Sequence, residues 1–184
     1  MLTLTKIILL MTIPFLSFGQ SSEIYKVLRT VENVEIREYV PLLFASYINS
    51  GKENDQNSSF RVLANYIFGS NEAEEKIAMT SPVVIKLFND NEMLFRMPKK
   101  YNKRNIPKPN NTSVKFLETS STQKAVIRYS GYTNKEKEKR KIIELKEILK
   151  KYGIEHTNQF ELFVYNSPYK FFNRRNEISV NIIK

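Results

Sequence analysis

Twelve phenylalanines, ten tyrosines and five methionines stand against one histidine, no cysteine and no tryptophan. That inventory decides which chemistry is open to the chain. Without cysteine there are no disulfides, thiolate nucleophiles, cysteine zinc sites or thioether-linked cofactors. The single histidine, His156, makes neither a histidine-rich zinc site nor a Cys–His pair. It falls just past a predicted helix and reads as a loop residue. No GxGxxG or GxxxxGK[ST] loop is present, so no ordinary nucleotide site is expected. Glu35 and Glu38 flank Arg37, and strand alternation puts Glu35 and Arg37 on one face. That pattern reads as a surface ion pair. Glu72, Glu74 and Glu75 read as a solvated loop. No carboxylate pair calls for acid–base work, and the expectation is a protein without catalytic activity. What remains is soft and apolar: Met79, Met93 and Met97 gather around one pair of predicted strands, and side chains of this kind suit irregular apolar pockets.

The elements that must hold such a pocket centre on the stretch from Phe60 to Pro82. Its first part, Phe60 to Phe68, predicts a helix capped by Ser58 or Ser59 and stopped by Gly69. Phe60, Leu63, Ala64 and Ile67 share one face at helical spacing. Val62, Tyr66 and Phe68 add apolar surface on other sides, so the helix needs a second thing to pack against. A further core layer, a partner or a flat apolar ligand would each serve.

Before this helix, two alternating runs meet at Glu32-Asn33, with Val34 and Ile36 as the inward set of a half-buried strand. Pro41 marks a bend, and Leu42 to Ile48 reads as a further strand. After it, Val83–Phe88 and Met93–Met97 predict a hairpin around 89–91. Residues 98–111 carry three prolines and read as a surface crossover. Val114–Leu117 and Ala125–Tyr129 are predicted strands. A second helix spans about Asn134 to Tyr152, with a Thr133/Glu136 capping box, a stripe of Ile142, Leu145, Leu149 and Tyr152, and Gly153 as its stop. Phe160–Tyr165 and Glu177–Ile183 are strands around an aromatic, basic loop, Ser167–Arg175. The order is two strands, helix, two strands, and then the same again. It predicts an α+β fold: a barrel-like antiparallel sheet, a helix on each half, and a natural ligand cleft between the halves.

Charge and compartment narrow the partners. Residues 1–19 show Lys6, an apolar run from Ile7 to Phe18 and a small-residue site, the pattern of a cleaved secretory signal. Cleavage is expected after Gly19, leaving a single domain over 20–184 in a periplasm or outside the cell. The formal charge is +10, which favours anionic partners such as a membrane surface or a carboxylate ligand. Export makes nucleic acid an unattractive partner, and a monomer is expected.

The runs YKVLRTVENVEIREY, SSFRVLANYIFGSNEAEEKIAMTSPV, LFRMP, AVIRYSG and RRNEISV together resemble the SOUL haem-binding family, over nearly all of Tyr25 to the C-terminus. The resemblance implies a distorted antiparallel β-barrel flanked by two helices, with an internal pseudo-two-fold duplication, similar to the effector-binding domains of bacterial regulators. It implies non-covalent binding of haem or another porphyrin in an apolar groove beside the first helix, for a carrier, buffer or scavenger. Carried onto this chain, Val62, Tyr66 and Met79 would face the tetrapyrrole, and Arg61, Arg174 and Arg175 would meet its propionates. A Met or Tyr axial ligand is open, whereas His156 lies outside the matching runs. A different small-molecule or lipid-amphiphile binding module on the same scaffold is the other reading.

Overall fold

The computed structural model describes residues 24–49, 56–88, 92–167 and 169–183. The expected signal segment, the loop at 50–55 and the hairpin tip at 89–91 lie outside them. Among the described residues, nine strands and two helices follow in the order β1 (Tyr25–Val31), β2 (Val34–Tyr39), β3 (Leu42–Tyr47), α1 (Gln56–Ile67), β4 (Val83–Lys86), β5 (Glu92–Arg96), β6 (Lys115–Thr119), β7 (Thr122–Ser130), α2 (Lys135–Lys151), β8 (His156–Val164) and β9 (Arg175–Ile182). Among the described residues no helix is long and apolar enough to cross a membrane.

The strands form one antiparallel sheet, β1-β2-β7-β9-β8-β4-β5-β3-β6. Without β1, the order reads the same from both ends once β2 is exchanged for β6, β3 for β7, β4 for β8 and β5 for β9. The approximate two-fold axis therefore falls on the β4–β8 seam. The opening strand of each half crosses over: β2 pairs with β7, and β6 with β3. The predicted element order holds, with β1 as an additional N-terminal strand.

The sheet is not closed into the expected barrel. Strands β1 and β6 are its edges, and β1 exposes five consecutive residues, as an edge strand paired on one side does. The sheet is nevertheless strongly rolled. Tyr25 is level with Tyr39 and so with Thr122, while Arg175 is level with Ser130, eight residues further along β7. In a flat sheet that offset is about 26 Å along the strands. Yet Arg175 Nη2 donates to Tyr25 Oη at 3.1 Å. Side chains, not a backbone ladder, join the two corners.

Both helices cover one face. Leu63, Ala64 and Ile67 of α1 and Leu145, Ile148 and Leu149 of α2 share a core with Ile85, Met93, Ile127, Leu162 and Ile178. The other face carries a smaller cluster with Tyr39, Phe44, Val84, Leu94 and Phe163. The second side of α1 is met by a further core layer. The 98–114 crossover sends Tyr101, Ile106 and Val114 into the main core, Tyr66 Oη donates to Pro107 O at 2.8 Å, and its ring meets Phe116 edge-on.

Helix boundaries differ from expectation for local reasons. Helix α1 starts at Gln56, so Ser59 is a buried residue inside it and not its cap. Helix α2 is capped by Asn134, whose side chain accepts from Lys137 N; Thr133 instead donates to Glu138 Oε1 at 2.8 Å. Gly153 ends α2 at φ +61°, where a side chain would be strained. Tyr152 is exposed, and Ile148 takes the buried position predicted for it. His156 opens β8 rather than sitting in a loop, with its Nδ1 on Thr157 O.

Candidate functional site

The β4–β8 seam carries a cavity on each face. Val83 lies opposite Val164, Val84 opposite Phe163, Ile85 opposite Leu162 and Lys86 opposite Glu161. Strand alternation sends Val83, Ile85 and Val164 to the helix side and Val84, Lys86, Glu161 and Phe163 to the other. The two cavities are thus back to back, separated by one pair of strands.

On the helix side a groove of about 560 Å³ opens between the start of α1 and the loop after β8. Its walls include Phe60, Met79, Val83, Ile85, Met93 and Val164. Phe60 and Met79 keep 37% and 47% of their surface in water, so a ligand here would cover apolar surface that the fold leaves open. Phe60 is held edge-on against Phe95. The peptide before Pro82 is cis, and Thr80 Oγ1 donates to Arg96 O at 2.6 Å, tying the Met79–Ser81 wall to β5.

Arg174 forms the basic end of this groove. It is buried, and its Nη1 donates to Ser167 O at 2.7 Å and Lys170 O at 2.9 Å. The guanidinium stacks on Tyr132 at 4.4 Å. Its Nε is buried with no hydrogen-bond partner. Donors buried in that state are uncommon and call for an explanation.

The opposite cleft, about 530 Å³, has Tyr39, Phe44, Val84, Leu94 and Phe163 in its lining. Four of its charged groups form ion pairs within the protein. Lys124 pairs with Glu161 at 2.5 Å and Lys86 with Glu92 at 2.7 Å. The Glu161 carboxylate also accepts from Ser179.

On the face away from the helices lies a buried ionic cluster that strand alternation alone did not reveal. Arg37 donates to both Glu177 oxygens, Nη1 at 2.8 Å and Nη2 at 3.0 Å. Both residues are buried, so Arg37 is no surface residue, although its pairing with Glu35 is present at 2.7 Å. Arg175 donates to Glu177 through Nε and Nη2, and Tyr165 Oη donates to Glu177 Oε2. Arg37 lies over the Tyr25 ring and Arg175 over the Tyr165 ring. Burial works to raise the Glu177 pKa, but the hydrogen-bonded Arg37, with Arg175 and Tyr165, holds it below the ordinary carboxylate value. Burial pushes the Tyr39 and Tyr165 hydroxyls up. Tyr39 lines the cleft and Tyr165 the groove. The available signal was Glu177 within RRNEISV, a charge on a predicted strand with Arg175 two residues before it.

Of the six residues singled out from sequence, Met79 and Arg174 meet in the groove. Arg61 is exposed on α1, and Val62 is half-buried against the main core. Tyr66 is buried, with its hydroxyl on Pro107 O. Arg175 is committed to Glu177 and Tyr25. Phe60, assigned from its spacing to the core face, is the groove residue that sequence reasoning passed over. Among the described residues no three histidine, aspartate or glutamate side chains gather as a metal site.

Comparison with known proteins finds relatives of this chain. A family model described as "SOUL heme-binding protein" matches residues 21–181. "Heme-binding protein 1" of Xenopus tropicalis is 30% identical over 154 residues, covering 78% of this chain and 80% of its own. Human "Heme-binding protein 2" is 28% identical over 164 residues, covering 78% and 75%. Among solved structures, a hydrolase from Listeria innocua superposes with TM-score 0.60 at 9% identity, over 85% of this chain and 94% of that one. The EcmrR C-terminal domain superposes with TM-score 0.58 at 12% identity, over 87% and 98%. At such identities the structural matches speak to the fold alone.

Proposed function

The chain belongs to the SOUL haem-binding protein family, and from that membership we propose that it binds haem or another tetrapyrrole non-covalently in the groove beside α1. It serves in this reading as an exported carrier, buffer or scavenger with no reaction of its own. The observation that carries the location is the pairing of open apolar walls with a basic end. Phe60 and Met79 offer exposed apolar surface, and Arg174 holds a buried Nε without a partner. A propionate carboxylate would supply that partner as a charge-assisted bond. The groove volume lies in the range of small-molecule sites.

The residues present fit the group. Met79 is the exposed soft donor in the groove, whereas the Tyr66 hydroxyl is engaged and His156 does not line it. Haem iron, when bound, would supply ligand exchange and a Soret band, and the protein supplies apolar walls and a cation. Burying several hundred Å² at about 25 cal/mol per Å² yields roughly 10 kcal/mol before costs. The expected complex is reversible, on the order of micromolar at its tightest.

The second reading is a lipid or other amphiphile, favoured by the cleft on the opposite face with its aromatic lining and its Lys86–Glu92 and Lys124–Glu161 pairs. Titration with haemin and with iron-free protoporphyrin separates the two. The groove reading expects one-to-one binding of both, weakened by Phe60→Ala and Met79→Ala. Binding that survives both changes and is lost on Phe88→Ala, in the cleft wall, moves the site to the other face. No binding of either porphyrin overturns the reading.

A further inference from the structure

The loop between β8 and β9 presents Tyr169, Phe171 and Phe172 to water at 84%, 71% and 84% exposure. Single exposed apolar residues need no explanation, but three within four positions do. Tyr132, half exposed, stands beside them against Arg174. No other stretch of four among the described residues exposes three such side chains.

The loop is also braced from within. The buried Arg174 guanidinium holds the carbonyls of Ser167 and Lys170, and Lys170 N donates to Ser167 O. Asn166 Oδ1 accepts from Arg175 N at 2.7 Å. Asn173 takes a positive φ of +49° to turn the chain back. Burying a cation and straining a residue to hold apolar rings outward is unfavourable for the isolated protein. It makes sense when the rings meet a partner of low polarity.

The local charge indicates which partner. Lys170 is exposed and no carboxylate lies within residues 166–176, while Arg174 is buried and Arg175 is paired with Glu177. The start of α2, joined to this corner through Tyr132, adds exposed Lys135, Lys139 and Arg140 against exposed Glu136. Aromatic side chains settle at the headgroup level of a bilayer, and lysine and arginine beside them are drawn to anionic lipid.

We propose that the 169–174 stretch is a docking element for an anionic phospholipid bilayer, with Tyr169, Phe171 and Phe172 entering the headgroup region. Asn166, Ser167 and Arg174 also line the groove, so docking would set the groove mouth beside the lipid. The inference goes beyond the proposed ligand and stands or falls without it.

The chain lacks tryptophan, so Phe172→Trp in the full chain places a single reporter on the loop. It reads the loop itself, whatever the apolar stretch at 7–18 does. Emission is measured without haem, with vesicles of phosphatidylcholine alone and of phosphatidylcholine with phosphatidylglycerol, and with acyl-chain-brominated lipid as quencher. Expected are a blue shift and quenching on the anionic vesicles, reduced by high salt. Adding Lys170→Glu should lower that partitioning roughly tenfold. Ile143→Trp, exposed on α2, should show neither effect. An unchanged emission spectrum of the Phe172→Trp chain on anionic vesicles overturns the proposal, as does an equal shift from the Ile143→Trp chain. A blue shift that grows with protein concentration in the absence of lipid overturns it in favour of self-association.

Discussion

Arg37 and Glu177 lie 140 positions apart in sequence and share a two-pronged ion pair from which water is excluded. The pair crosses from the second strand to the last and pins the rolled half of the sheet. Removing one partner of such a pair leaves a buried charge short of compensation. Arg37→Met is expected to lower stability by about 3 to 5 kcal/mol, read from urea unfolding. A cost below about 1 kcal/mol would show that Arg175 alone suffices for Glu177.

The same cluster sets a pH window. Glu177 has a depressed folded-state pKa. Its contribution is present above the unfolded carboxylate value and is lost as pH falls through the lower folded value. Tyr39, Tyr66 and Tyr165 have raised values, and burial pushes Tyr129 up to about 12. Their contribution is present below the unfolded tyrosine value, near pH 10, and is lost as pH rises through the folded values. Melting temperature should be level at neutral pH, fall below about pH 4 and fall again above about pH 10. Glu177→Gln should flatten the acid limb, and an unchanged limb would assign it to other carboxylates.

Tyr66 separates stability from binding. Its hydroxyl serves Pro107 O and its ring fills the core. Tyr66→Phe should cost about 1 kcal/mol of stability and leave porphyrin affinity as it was. A loss of affinity without a loss of stability would put Tyr66 at the ligand.

Met79 and Arg174 test the groove from its two ends. Met79→Ala should weaken haemin and iron-free porphyrin about equally, by roughly threefold to tenfold. Arg174→Met should weaken haemin more than an uncharged porphyrin ester. Equal losses for acid and ester would remove Arg174 as the carboxylate partner and leave it as the loop brace.

Asn134 is a local test of the helix α2 boundary. Its side chain accepts from Lys137 N at 2.9 Å. Asn134→Ala should cost about 1 kcal/mol, and Glu136→Ala much less, by chemical denaturation. The opposite ranking would restore a cap built from Thr133 and Glu136.

Local chemistry made much of the fold legible. The Glu32-Asn33 turn, the bend at Pro41, the stop at Gly153 and the apolar spacing of Leu63, Ala64 and Ile67 act over a few residues. Each came out as expected. The cap of α2 was misread because Thr133 and Asn134 are both good caps and adjacent, and only the backbone path chooses between them. Arg37 was misread because alternation gives the face of a strand but not what covers that face.

By itself the sequence determined the element order, the two-fold repetition, the basic charge and the family, since these rest on periodicity, composition and linear motifs. The tertiary structure alone decided that the sheet stays open. It set the first strands crossing between halves, put two cavities back to back on one seam, and used Arg174 to brace a loop while Arg175 locks Glu177. The physical reason is range. Hydrogen-bonded turns and caps are settled within a helical turn, whereas burial of a charge or an apolar ring depends on neighbours more than a hundred residues away.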